Sequence, residues 1–434
     1  MNKKVLALLV IALLVVGSFY VLFITNFGND TVTDDTIPSK NNDSPVIGNI
    51  TSFDQAVNDF GFDLFKKIDE GWGTESNLFY SPYSVFTALA MTYEGARNNT
   101  ASQMRDVLSV EQDNDTFHEY MKNLYEYLNE NSDYNISTAN ALWPKVGFEL
   151  LQEYTDIIET YYGGNTNPVD YSDAKKASDI INGWVENQTN NLIKNLVPES
   201  AINQLTRLIL TNAIYFKGTW QIQFDKENTT MRDFLKSDGE TIQVDTMKLT
   251  ETEDLFNYTE TEDLKILELG YKGNDLSMII ILPKEKLTDL SDIVNSLNKD
   301  DYSEWIDQMT QKKVDIYLPK FEFETKYTLN SYLVELGMSD AFNSIKANFS
   351  GMNDKIDLFI NAVLHKAFVK VNEEGTEAAA ATAVVIGTTS IEPPKETERI
   401  DFKCDHPFLF TIYHKETGTI LFMGKVTEPL QKEE

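Results

Sequence analysis

The chain has 434 residues, 42% hydrophobic and 12% aromatic, which excludes a disordered polypeptide and supplies apolar surface for a sizeable core. Its 68 acidic and 37 basic residues leave a formal charge of -31 with no long basic run past the first residues, so nucleic acid and heparin-like polyanions are poor partners and basic ones better. One cysteine, Cys404, excludes an intramolecular disulfide and a multi-cysteine metal site. The histidines, His118, His365, His406 and His414, lack the spacing of a zinc protease, and neither metal nor cofactor is expected.

Asn2-Lys3-Lys4 precedes an uncharged apolar run, residues 5–24, close to the ~20 residues that cross a bilayer as a helix. The run continues through Phe19-Tyr20-Val21-Leu22-Phe23, beyond a typical cleaved core, so residues 1–25 are expected to be an uncleaved anchor, with a signal peptide as the alternative. The lysines keep that end in the cytoplasm and place the chain beyond residue 24 outside, anchored or secreted. Residues 26–50, rich in Asn, Asp, Thr, Ser, Pro and Gly, form a solvated tether. Glycosylation sequons begin at Asn98, Asn135, Asn187, Asn228, Asn257 and Asn348, a pattern that an Asn-rich chain also produces by chance.

Apolar residues at helical spacing (Phe53, Val57, Phe60, Leu64, Phe65, Ile68) predict a first amphipathic helix ended by Gly71-Trp72-Gly73. Ser81-Pro82 starts a second, strongly apolar helix through Val85, Leu89 and Met91, with proline where a missing amide costs nothing. Helices dominate the first half. Strands are expected over 208–216, 276–282, 313–318, 367–371, 408–413 and 419–424. The fold class is α+β, and with no repeat period or internal linker, residues 51–434 form one large domain.

Asn77-Leu78-Phe79-Tyr80-Ser81-Pro82-Tyr83-Ser84, with Gly95-Ala96-Arg97-Asn98-Asn99-Thr100, closely resembles the second helix of serpins. The segment from Thr211-Asn212-Ala213 to Gly218-Thr219-Trp220 is similar to the family's most recognisable strand and turn. Leu318-Pro319-Lys320-Phe321, Phe349-Ser350-Gly351-Met352, His406-Pro407-Phe408 and Leu421-Phe422-Met423-Gly424 come in the family's order, so the resemblance covers about residues 50 to 430. It implies a large mixed central β-sheet, two further sheets, about nine helices and an exposed reactive-centre loop near 373–400.

Glu373-Glu374-Gly375-Thr376-Glu377-Ala378-Ala379-Ala380-Ala381-Thr382 resembles the hinge of inhibitory serpins. In a strand Thr376, Ala378, Ala380 and Thr382 share one face, small and uncharged, so they can enter a sheet without costly desolvation or overpacking. Four alanines by themselves would instead mark a helix. The family's spacing places the scissile bond between Thr389 and Ser390, with the register open from Gly387 to Ile391 because residues 391–399 run longer than in many relatives. Arg399 lies too far along to be the bait. A small β-branched bait residue suits elastase-like or subtilisin-like serine proteases better than trypsin-like ones.

Ser81, Ser84, Asn212 and His365 match positions that hydrogen-bond beneath the central sheet where strands separate. Lys217, Gly218 and Trp220 match the top of that sheet, where the loop first enters near Glu373, although Trp220 also reads as a plain core aromatic. The resemblance implies a monomeric suicide-substrate inhibitor, with no catalytic group of its own, that traps its target as an acyl-enzyme. A non-inhibitory serpin with a chaperone, carrier or storage role is the alternative, and no hydrolase motif supports an enzyme.

Overall fold

A computed structural model describes residues 51–73, 75–110, 114–130, 132–354, 358–376 and 399–430. The expected anchor (1–25), the tether (26–50), the hinge from Glu377 through Thr382 and the bond between Thr389 and Ser390 lie outside the described residues.

Helix α1 (Thr51–Trp72) buries Val57, Phe60, Leu64, Phe65 and Ile68, the stripe that the sequence predicts. It carries on through Gly71, where a Cβ would stand 2.6 Å from the Tyr332 ring, and the chain turns at Gly73 with φ of +105°. After β1 (Leu78–Tyr80), Ser81 caps α2 (Pro82–Gly95) by accepting the Ser84 amide, with Pro82 in the first turn. Because α2 is apolar nearly all round, it is buried inside the molecule, against β-sheet.

The chain continues with α3 (Asn98–Leu108), α4 (Asn114–Glu130), β2 (Tyr134–Pro144), α5 (Gln152–Tyr162), β3 (Asn165–Thr166), α6 (Ala174–Gln188) and β4 (Leu208–Thr219). Next come β5 (Thr230–Leu235), β6 (Thr241–Leu249), β7 (Phe256–Glu260), β8 (Leu264–Gly270), β9 (Leu276–Pro283), α7 (Leu290–Ser296) and α8 (Lys299–Asp307). Then come β10 (Thr310–Lys312), β11 (Val314–Pro319), β12 (Phe321–Thr328), α9 (Asn330–Leu336) and β13 (Ile360–Asn372). The last elements are β14 (Gly375–Thr376), β15 (Ile400–Lys403), β16 (Phe408–His414) and β17 (Ile420–Val426).

Among the described residues these nine helices surround three sheets. One is seven-stranded and antiparallel, in the order β1-β17-β16-β9-β8-β7-β10; a second has four strands, β15-β11-β6-β5. The third, mixed and six-stranded, runs β12-β13-β14-β4-β2-β3, and along most of their shared length β13 and β4 pair directly and in parallel. One face of it meets the main core around α2, and the other meets a smaller core built on Trp143, Ile181, Val185 and Ile193, to which α6 contributes.

All six expected strands are present, yet two are longer than their apolar patterns. β4 runs on to Thr219, because its ladder with β2 continues through Lys217 and Gly218 after the apolar residues stop. β13 begins at Ile360, since a strand buried on both faces shows no alternation. β2 lies outside the expected set, as its Asn, Ser and Thr residues mask the strand pattern.

Lys425 on β17 is fully buried and its ammonium pairs with Asp69 of α1, whose other carboxylate oxygen accepts from Ser291 at 2.8 Å. Removing one partner strands a buried charge, at a cost of about 3–5 kcal/mol. Lys425→Met is therefore expected to lower the urea midpoint strongly, and the double change Lys425→Met with Asp69→Leu to recover much of the loss.

Candidate functional site

Below the hinge, β13 and β4 pair from Ile360↔Leu208 to Ala367↔Ile214. Past that point they part, and Gly375–Thr376 enters between them: Thr376 pairs with both Val371 and Gly218, and Gly375 with both Asn372 and Thr219. A Cβ at Gly375 would lie 2.0 Å from the Gly218 carbonyl oxygen, so only glycine fits there. Its φ of +156° is also one that side chains rarely adopt, so conformation and space both call for glycine. Thr376 is buried, its hydroxyl 2.6 Å from that of Tyr271.

The turn leading into β14 is held from several sides. Trp220 donates from its backbone to the Glu374 carbonyl and from its indole to the Asn372 carbonyl, both at 2.9 Å, and its ring stacks on Tyr271 at 4.6 Å. Phe224 donates its amide to the Glu373 carbonyl. The Glu373 side chain, buried, accepts from the Thr229 hydroxyl at 2.7 Å and pairs with Lys320 at 3.3 Å. Burial pushes its carboxyl up, but those hydrogen bonds and the nearby ammonium outweigh it and hold it below the usual carboxylate range. Glu374 pairs with Lys226 at 2.5 Å.

Of the predicted upper group, Gly218 and Trp220 thus meet the hinge directly. A Cβ on Gly218 would strike the Phe216 ring at 2.5 Å. Lys217 sits opposite Asn135 in the β2–β4 ladder, and the lysines that meet the two glutamates are Lys320 and Lys226. Sequence spacing offered no signal for Lys226 and Thr229, which reach the hinge from the segment after β4.

Ser81, Ser84, Asn212 and His365 come together lower in the seam. The Ser81 amide donates to His365 Nε2 at 3.2 Å, so Nδ1 carries the proton and donates to Asn212 Oδ1. The Asn212 amide donates to Ser84 Oγ and to Asn140 Oδ1, and Ser81 Oγ donates to the Leu421 carbonyl at 2.6 Å. Asn140, on β2, completes the network. All five side chains are buried, so each polar atom needs such a partner. His365 lies between the Tyr80 and Tyr327 rings, and burial pushes its pKa down to about 3.

Arg399, at the far end of the loop, is already occupied: Nε and Nη2 donate to Asp315 Oδ1 at 3.0 and 2.7 Å, and Nη1 to the Thr252 carbonyl. Among the sequons, Asn257 has its side-chain nitrogen 2.6 Å from Glu268 Oε2, engaged in the fold. The described residues hold no cluster of His, Cys, Asp and Glu able to bind a metal ion, and no helix among them is long and apolar enough to cross a membrane.

A family model described as serpin (serine protease inhibitor) matches residues 55–429. An uncharacterized serpin-like protein of Methanosarcina acetivorans is 42% identical over 377 residues, covering 86% of this chain and 85% of that protein. Human Serpin B3 is 39% identical over 401 residues, covering 88% of this chain and all of the relative. Among solved structures, Serpin48 of the insect Tenebrio molitor superposes with a TM-score of 0.78 at 35% identity, covering 88% of this chain and 98% of that one. Uncleaved ovalbumin does so with 0.77 at 30%, covering 87% and 100%. The chain belongs to the serpin family, whose members generally inhibit proteases rather than catalyse a reaction.

His365 stays neutral in the folded protein while the unfolded chain protonates it near pH 6.5, so its contribution to stability is complete above that pH and falls as pH drops toward 3. His414, buried and pushed down to about 4, acts in the same direction. Each costs at most about 1.4 kcal/mol per pH unit. Urea midpoints measured from about pH 7 to about pH 4 are expected to fall more steeply for the native chain than for His365→Gln.

Proposed function

We propose that the chain inhibits serine-type endopeptidases as a suicide substrate, its bait loop being cleaved near Thr389–Ser390 and then inserted between β13 and β4. The observation that carries the reading is the seat of Gly375–Thr376 at the mouth of that seam, antiparallel to both neighbours. Continuing the same register sets Ala378 against Phe216 and Val369, Ala380 against Ile214 and Ala367, and Thr382 against Asn212 and His365. Each of those six side chains is buried, so the inserting face must be small and uncharged, as it is.

Insertion replaces one parallel pairing by two antiparallel ones, which supplies a net gain of ladder hydrogen bonds. It must also break the hydrogen bond between His365 and Asn212, which spans the seam. Hydrolysis of the acyl-enzyme, formed by the target's own serine, stalls when insertion drags the protease from the loop end. The apolar run after Lys3 and Lys4 supports placing this domain outside the cytoplasm, anchored or secreted.

Mixed with elastase-like and subtilisin-like proteases, the chain is expected to give a complex that survives denaturing gels and to release a peptide beginning near Ser390. Clean cleavage without complex by every protease would instead favour a non-inhibitory role. Thr376→Arg would force a charge into the buried seat and is expected to divert most encounters to simple cleavage, seen as a several-fold rise in the stoichiometry of inhibition.

A further inference from the structure

On the four-stranded sheet three cations converge on one aromatic ring. The Tyr317 ring of β11 has the Arg232 guanidinium at 4.5 Å, the Lys403 ammonium at 5.4 Å and the Lys248 ammonium at 5.9 Å. Lys403 and Lys248 are its direct cross-strand partners on β15 and β6, and Arg232 reaches it from β5, so the cluster spans all four strands. Lys403 pairs with Asp401 at 2.5 Å, whereas among the described residues Arg232 and Lys248 are in no ion pair. All four side chains are partly exposed.

In a chain of net charge -31, with carboxylates in excess, neutralising partners for these cations are abundant. With Asp401 beside Lys403, the Arg232 and Lys248 charges are offset only by the ring's negative face, and an external anion would relieve their repulsion. Local rules broken in this way mark functional surfaces.

We propose that this face is a docking surface for carboxylate-rich surface of the target protease, an inference that rests on the inhibitory reading above. Position supports this occupant. β15 is the strand that leaves the bait loop, and nine residues lie between Ser390 and Ile400, a reach of at most about 34 Å. A protease domain is about 40 Å across, so one engaged on the loop has this sheet within its reach. The cluster steers an acidic face of the protease toward the loop, against the repulsion of the rest of the molecule, and raises the association rate.

The test uses the full chain and whichever protease forms the gel-stable complex with it. Arg232→Ala with Lys248→Ala is expected to lower the second-order rate of inhibition about 3- to 10-fold at low salt and to flatten its salt dependence, with unchanged stoichiometry and melting temperature. Lys122→Ala with Lys175→Ala removes the same charge from exposed helix positions and is expected to leave the rate within about twofold. Equal slowing by both pairs would overturn the proposal in favour of net charge alone. An unchanged rate with the cluster variant would overturn it too, and if retention on a heparin column then depends on the cluster, the occupant is a polyanion. Absence of any complex with the native chain would remove the inhibitory reading and this inference together, whereas a complex formed equally fast by the variant removes only this inference.

Discussion

The molecule turns on a single seam, where β4 and β13 lie side by side in parallel with no strand between them except the two residues of β14 at one end. Parallel pairing is somewhat weaker per residue than antiparallel pairing, and this one has the segment that could replace it already in register at its mouth. The fold around the seam is closely packed. α2 is buried beneath it, and the seven-stranded sheet packs strands buried along their whole length, such as β9. A weak line inside a well-packed frame lets one local event propagate along a whole sheet.

A buried polar network spans the seam among its apolar neighbours. The chain of contacts from Ser81 through His365, Asn212, Ser84 and Asn140 joins the start of α2 to three neighbouring strands, and each member depends on the others for its partner. Buried hydrogen bonds are directional, so such a network fixes one arrangement more sharply than interchangeable aliphatic contacts do, and it fails as a unit. The neutral tautomer of His365 belongs to the same logic: both ring nitrogens are already used, leaving no place for a second proton.

At the mouth, the hinge is held by its carbonyls and carboxylates on residues of other elements: Trp220, Phe224, Thr229, Lys226 and Lys320. At its far end the loop runs into Arg399, tied to Asp315 of β11. The two attachments differ in kind. The first sits where β13 and β4 part, while the second leads into an edge strand whose one ladder partner among the described residues is β11.

The family, the α+β class, the capped apolar helix after Ser81 and the grouping of Ser81, Ser84, Asn212 and His365 were legible along the chain. Each rests on local chemistry: a missing proline amide, alternation of side chains in a strand, or a long motif in order. It took the folded chain to show that Asn140 closes the network, that Lys320 and Lys226 rather than Lys217 meet Glu373 and Glu374, that Gly375 faces a carbonyl 2.0 Å from its missing Cβ, and that Arg399 is tied to Asp315. Those facts depend on which strands become neighbours, set by packing and hydrogen bonds between residues far apart in the chain, and a pattern read along the chain carries no record of that distance.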